Sequence, residues 1–220
     1  MNNNPTELEV FIHDIASPLT NIGISLENMK SQIHSNPSQL EKTIVATIDS
    51  LEYLFSITKQ NIPINNQQHQ PDYLLLGLIQ EIITNKFKFI LDQNNILLMN
   101  DIREEILISY DRFLLNRVFT NIISNSIDAL VAKSAFTNKK IKLTASESQG
   151  HLIISIIDNG IGIDSQSQIN IFNYGYSGKD SHKGIGLPFS KDIIENHFNG
   201  TLDIKSLLGI GTVVKIYLPI

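Results

Sequence analysis

Six histidines are spread through 220 residues that contain no cysteine. One of the six has neighbours suited to phosphoryl chemistry. His13 lies in the stretch Val-Phe-Ile-His-Asp-Ile-Ala-Ser-Pro-Leu-Thr, residues 10–20. An imidazole near its ordinary pKa of about 6.5 is mostly neutral at neutral pH and keeps a lone pair for attack on phosphorus. Asp14 follows directly. Ser17, at i+4, shares the helix face of His13. Pro18 removes the amide that would bond the carbonyl of Asp14, so a weak turn or kink is expected beside the histidine. The other histidines have duller surroundings: His34 in a turn, His69 in a polar stretch, His151 at a strand start, His182 in a loop and His197 at a helix end.

A second set of residues, far along the chain, suits a nucleotide. Asn121 and Asn125 stand at i and i+4 on a largely apolar helical run, with Asp128 one turn further on. A buried amide needs partners, and an asparagine oxygen that helps hold a hydrated Mg²⁺ beside phosphates is one arrangement that supplies them. Asp158, Gly160 and Gly162 end an apolar strand. A carboxylate there can accept from an exocyclic amine, and the glycines let backbone approach a planar ring; a plain Asn-Gly turn is the bland alternative. Gly184, Gly186 and Leu187 open a helix, a place that suits phosphate. Gly209, Gly211 and Thr212 precede the last strand, where they serve at least as a tight turn.

The elements that must position these groups fall into two sets. Leu8, Ile12, Ile15, Leu19, Ile22, Leu26, Met29 and Ile33 recur at alternating steps of four and three, the period of a coiled-coil seam. His13 is a b position in that register and faces water. A turn around Pro37 leads to a second periodic run, Leu40, Ile44, Ile48, Leu51, Phe55 and Ile62. A lone helical hairpin cannot cover two such seams, so the pattern implies a homodimer through residues 8–62, paired as a four-helix bundle; the bland alternative is a hairpin packed on the rest of its own chain. Residues 63–71 are polar, carry Pro63 and Pro71, and read as a linker. Over residues 72–220 the pattern predicts a helix from Tyr73 to Leu91, strands at 95–101 and 106–111, and a long helix capped by Asp111 and running to about Lys133. Strands at 140–147 and 151–158 follow, turning at Gln149-Gly150. A helix from Leu187 to His197 and strands at 201–206 and 212–219 close the chain. Helices on one face of a mixed sheet are the expected result.

His13, Asp14 and Pro18 resemble the phosphoacceptor box of sensor histidine kinases. The four later signals, in their order and spacing, resemble the Bergerat ATP-binding fold shared by histidine kinases, heat-shock chaperones, mismatch-repair ATPases and type II topoisomerases. Phe172 to Lys179 looks like the kinase phenylalanine box and the start of its ATP lid, with Tyr176, Ser177, Gly178 and Lys179 in place of the usual Phe-Thr-Thr-Lys run. The resemblance implies an α+β protein: an N-terminal antiparallel helical hairpin, residues 1–62, followed by a Bergerat-type α/β sandwich, residues 72–220. It implies ATP with Mg²⁺ at Asn125. Nucleotide contacts would come from Asn121, Asn125, Asp128, Asp158, Gly160, Gly162, Lys179, Gly184, Gly186, Leu187 and Thr212.

The same resemblance implies His13 as phosphoacceptor, Asp14 holding its tautomer, and a response-regulator receiver domain as partner. Asp14 would have to curl back toward the ring, because neighbours in sequence do not face each other on a straight helix. Ser17 departs from the threonine or asparagine of kinases that also dephosphorylate their partner. Hydrolysing branches of the fold have a glutamate where this chain has Asn121, and an amide is no general base. Two rivals share parts of the pattern. One is a histidine phosphotransfer protein with a vestigial ATP fold. The other is an anti-sigma-factor-type serine kinase, which lacks the hairpin.

Composition narrows the class further. Net charge is −5, which does not favour nucleic acid as a partner. Without cysteine there is no thiol chemistry. The first residues have no leader-like apolar run, and no stretch approaches the ~20 apolar residues of a membrane span. The expectation is a cytoplasmic protein without membrane insertion and without a sensor domain of its own, taking its signal from a separate sensor protein or through the bundle.

Leu19→Asp and Leu51→Asp each place an ion in the expected bundle core, where an unpaired charge is costly. Sedimentation should show each variant as monomer or unfolded chain. Residues 72–220 alone, if they dimerised as well as the whole chain, would remove the basis for the bundle.

Overall fold

The structure is a computed structural model. It describes residues 72–220 apart from 104, 134–137, 174–175, 177–183 and 185, and in the N-terminal part positions 15, 19, 20, 22–27, 29, 47, 51 and 54. The chain divides into two compact units, residues 1–68 with 174–185, and residues 69–173 with 186–220.

In the first unit every described position up to Leu54 is helical, in keeping with both periodic runs. The seam splits by heptad position. Ile22 is buried and Ile15 and Met29 are half-buried, whereas Leu19 is 53 % exposed and Leu26 50 %. In the second run Thr47 and Leu54 are buried and Leu51 is 51 % exposed. The buried face of this run therefore lies one helical step from the apolar row that the sequence picks out. His13, Asp14, Ser17 and Pro18 lie outside the described residues.

The second unit starts with β1 (Tyr73–Leu74), not with a helix as the apolar spacing suggested. Tyr73 and Leu74 pair antiparallel with Ile108 and Leu107 of β3 (Leu107–Ile108). The Leu75 amide then donates to the Ile106 carbonyl at 3.0 Å, so backbone pairing overrides helical spacing for two residues. Next comes α1 (Leu75–Ile82), a π-helical turn (Ile83–Phe87) and α2 (Lys88–Gln93). The edge strand β2 (Ile96–Asp101) follows, and beyond β3 lies α3 (Arg112–Val131). Asp111 caps α3 as expected, accepting from the Leu114 amide at 2.9 Å.

β4 (Lys139–Ser148) and β5 (His151–Asp158) form a hairpin. Gln149 and Gly150 both have positive φ, 51° and 72°, as a two-residue type I′ turn requires. A short α4 (Ser165–Gln168), absent from the sequence reading, is capped by Asp164. After α5 (Gly186–Asp192) and a second π-helical turn (Ile193–His197), β6 (Thr201–Leu207) and β7 (Gly211–Pro219) make the closing hairpin.

The sheet order is β2-β4-β5-β7-β6. β2 runs parallel to β4 and every other pair is antiparallel, the mixed sheet expected. Alternate residues Ile141, Leu143, Leu152, Ile154, Ile156, Ile216 and Leu218 turn one face inward and are fully or almost fully buried. On α3, Leu115, Val118, Phe119, Ile122, Ile123, Ile127 and Leu130 recur at steps of three and four and are buried as well. α1 adds Leu75, Leu78, Ile79 and Ile82. Among the described residues, no helix is long and apolar enough to cross a membrane.

Phe119 is fully buried and Phe89 is 78 % exposed. Phe119→Ala should lower unfolding stability by roughly 3–5 kcal/mol, while Phe89→Ala stays within about 0.5 kcal/mol of the parent. Urea unfolding followed by circular dichroism measures both. Equal losses would mean that α3 does not carry the core.

Candidate nucleotide site

The site grows from one end of the sheet and the face of α3 above it. β5 ends at Asp158, whose Cα partners are Ile141 on β4 and Thr212 on β7. Asp158 is buried. Its Oδ1 accepts from the Gly160 amide at 2.9 Å, and it takes further hydrogen bonds from the Ser126 side chain and the Thr212 backbone. Burial raises its pKa above the ordinary carboxylate value. The hydrogen bonds and the charge of Lys133 pull in the opposite direction without cancelling that effect.

The glycines around Asp158 have packing work inside the chain. A Cβ on Gly160 would lie 2.7 Å from the Ala129 Cβ of α3 and 2.9 Å from Asp158 Oδ1. Gly162 has φ +68°, and a Cβ there would come within 2.0 Å of the Leu207 carbonyl oxygen. Gly211, at φ +148°, passes so close to Asp158 that a Cβ would sit 2.1 Å from its carbonyl oxygen. Gly160 and Gly162 thus bring β5, α3 and the β6–β7 turn together, a role distinct from the approach to a ring that the sequence suggested. The bland reading of Asn159-Gly160 as a hairpin turn does not hold. Asn159 instead fastens the sheet edge, accepting from the Lys140 amide at 2.8 Å and donating to the Asn138 carbonyl at 2.8 Å.

Thr212 is buried, with its hydroxyl 2.9 Å from Ser206 Oγ. Ser206 Oγ also accepts from the Ile163 amide at 2.8 Å. Gln168 donates to the carbonyls of Ile163 and Ser206. The fourth sequence signal is therefore more than a tight turn, because it sets Thr212 beside Asp158.

On α3, Asn121, Asn125 and Asp128 are half-buried, not buried as the apolar surroundings implied. Asn121 Nδ2 donates to the Gly186 carbonyl at 3.3 Å and to Ser190 Oγ at 3.4 Å, which ties α3 to the first turn of α5. Ser190 also donates to the Gly186 carbonyl at 2.8 Å. A Cβ on Gly186 would make only an ordinary 3.5 Å contact with Asn121, so the protein's own packing does not demand glycine there. No described residue is hydrogen-bonded to the Asn125 side chain. Leu187 is half-buried on the same first turn of α5. Gly184 belongs to the other unit. Its φ of +64° and the Tyr176 carbonyl oxygen, 2.2 Å from any Cβ, restrict it to glycine. Lys179 lies outside the described residues.

This arrangement has relatives. The profile of the histidine kinase-, DNA gyrase B- and HSP90-like ATPases matches residues 110–220, half of the chain. The chain belongs to that family. Among curated proteins it is similar to sporulation kinase C of Bacillus subtilis, 27 % identical over 213 residues, which are 94 % of this chain and 47 % of that protein. The chain thus spans about half the length of that relative. Among solved structures it resembles the Acinetobacter baumannii histidine kinase AdeS, with TM-score 0.61 and 18 % identity over 94 % of this chain and 97 % of that one. It also resembles histidine kinase ThkA in complex with the response regulator protein TrrA, with TM-score 0.56 and 24 % identity over 94 % of this chain and 59 % of that one. These likenesses confirm the Bergerat-type architecture.

Asn121, Asn125, Asp128, Asp158, Gly160, Gly162, Gly186, Leu187 and Thr212 all lie in one unit of the structure and within the segment that the family profile matches. Sequence reasoning missed Ser126, Ser190, Ser206 and Lys133. Ser126 had a faint signal, a hydroxyl on the apolar side of a helix next to Asn125. Lys133 had none.

Asp158 gives a testable signature. With its folded pKa raised, the folded state holds the proton more tightly than the unfolded chain. Its contribution to stability is therefore present below the unfolded value and is lost as pH rises through the folded one. Burial therefore sets the folded state against ionisation of this carboxyl group. Asp158→Asn should raise Tm relative to the parent more at pH 7 than at pH 4, while weakening adenine-nucleotide binding. A constant Tm difference across that range would contradict a folded pKa raised by burial.

Proposed function

We propose that this chain is the catalytic part of an ATP-dependent protein-histidine kinase that autophosphorylates on His13 and passes the phosphoryl group to an aspartate of a response-regulator receiver domain. The observation that carries the kinase reading over a hydrolytic one is Asn121. It occupies the place of the hydrolysing branch's glutamate, and its amide is already engaged with Gly186 and Ser190. A group that only donates in these bonds, and has no usable pKa, does not activate water. ATP bound here therefore persists until another nucleophile reaches it. The curated relative is called a sporulation kinase, and ThkA is recorded in complex with a response regulator, which supports the phosphorelay reading and the partner.

In this reading Asp158 accepts from the exocyclic amine of adenine, with Thr212 beside it. Asn121 holds α5 so that Gly186 and Leu187 open toward the phosphates, and Lys179 meets them as a point charge. Gly186 supports this because none of the described residues packs against it closely enough to exclude a Cβ. Asn125, with a side chain not spoken for by any described residue, would hold Mg²⁺, which supplies charge neutralisation of the phosphates when bound. One protein oxygen suffices, because Mg²⁺ at such sites keeps several waters and takes phosphate oxygens. Neutral His13 attacks the γ-phosphorus in line. An N–P bond forms as the bond to the bridging oxygen of ADP breaks, and the imidazole proton passes to solvent. Positioning and charge supply most of the rate. Asp14 keeps the attacking nitrogen unprotonated, and Ser17 shares its face.

The exposed Leu19, Leu26 and Leu51 support a homodimer through residues 8–62, since a second copy would cover them. The absence of a membrane-length helix among the described residues fits a cytoplasmic site of action.

Incubation with γ-labelled ATP and Mg²⁺ should label the chain, with the label lost in acid and kept in base as for a phosphoramidate. His13→Gln should abolish labelling and leave ATP binding intact. Acid-stable label, or label surviving His13→Gln, would move the chain to the serine-kinase class. ATP binding without any label would favour a phosphotransfer protein.

A further inference from the structure

Lys133 lies just past the end of α3, half-buried, and its ammonium meets three backbone carbonyls. It donates to Asn159 at 2.9 Å, to Gly160 at 3.1 Å and to Gly209 at 3.0 Å. An ammonium has three N–H donors, so these carbonyls match its full donor count. Asn159 and Gly160 form the stretch directly after Asp158. Gly209 sits in the β6–β7 turn, three residues before Thr212. The same two loops are joined by the Gly209 amide, which donates to the Ile161 carbonyl at 2.6 Å. Three carbonyl oxygens that converge on a cation repel one another once the cation is gone. The loop whose Gly160 amide holds Asp158 Oδ1 then has one restraint fewer on its position.

We propose that Lys133 is a positioning residue for the base end of the nucleotide: its ammonium fastens the loop after Asp158 to the β6–β7 turn and so fixes where the Asp158 carboxylate meets the exocyclic amine of adenine. The inference rests on the reading of Asp158 as that amine's acceptor. With its ammonium on three backbone carbonyls, Lys133 acts on Asp158 through the loop, and its charge also favours the carboxylate form. Adenine offers an amine where guanine offers a carbonyl, so a well-placed carboxylate discriminates between them and a displaced one does so less. Loss of Lys133 should therefore reduce selectivity, a readout that mere loss of stability does not move.

The test uses the full chain with Mg²⁺, and calorimetric titration with ATP and with GTP. Lys133→Ala should lower ATP affinity by about tenfold, the scale of a lost charged hydrogen-bond set, and leave GTP affinity nearly unchanged. Ammonium chloride should restore much of the ATP affinity of Lys133→Ala, where the missing side chain leaves room for the ion. Tetramethylammonium chloride of equal ionic strength should not. Lys133→Met keeps the aliphatic stem, fills that room, and should show the same loss without recovery. Asp158→Asn serves as the reference for the underlying reading. If Asp158→Asn leaves the ATP-to-GTP ratio unchanged, Asp158 is not the base acceptor and both readings fall. If Asp158→Asn collapses the ratio while both Lys133 variants keep it, the positioning role alone is overturned. Parallel losses for ATP and GTP without recovery by ammonium, or failure of both Lys133 variants to fold, also overturn it, since a positioning role requires a folded chain with a displaced loop.

Discussion

Burial penalises the charged form of a carboxylate, and the architecture around Asp158 sets several partners against that penalty without cancelling it. Three elements converge on Asp158. The Gly160 amide comes from its own loop, the Ser126 side chain from α3, and the Thr212 backbone from β7. Two close approaches around it leave no room for a side chain, Gly160 against Ala129 and Gly211 against the Asp158 carbonyl. The helix-over-sheet packing is therefore coupled to the site. Moving α3 away from β5 would both open the core and deprive the buried Asp158 carboxyl group of its Ser126 partner.

The same economy of parts appears at Asn121. Its amide joins α3 to the first turn of α5 through the Gly186 carbonyl and the Ser190 hydroxyl. Under the proposed kinase reading the same side chain stands where the hydrolysing branch has glutamate, so one amide would serve both as structural tie and as restraint on hydrolysis. The Asn125 amide one turn along the helix shows the contrast: it makes no hydrogen bond to a described residue, and the proposed function gives it the Mg²⁺.

Much of the architecture was legible because it rests on local chemistry. Asp111 capped α3, Gln149-Gly150 turned the hairpin, and apolar alternation marked the strands of the sheet. The errors were equally physical. Tyr73 and Leu74 fit a helical period yet pair with Ile108 and Leu107, because an adjacent strand offered backbone partners that no window of sequence contains. Thr47 is buried ahead of Leu51, since the face of a helix that meets its neighbour depends on how the two cross, not on which row is most apolar. Asn121 and Asn125 proved half-buried: Asn121 meets polar groups on α5, and the Asn125 side chain makes no hydrogen bond to a described residue.

By itself the sequence determined most element types, the Asp111 cap and the Gln149-Gly150 turn, and it singled out candidate groups for a nucleotide. These follow from side-chain period, backbone freedom at glycine, and the donors and acceptors each residue carries. The tertiary structure alone decided that Thr212 stands opposite Asp158, that Gly160 and Gly162 serve close packing, and that Lys133 reaches three carbonyls from two loops. Strand register and the convergence of carbonyls on a cation depend on residues far apart in the chain. No local propensity encodes them, and they appear only when the sheet and α3 bring those residues within hydrogen-bonding distance.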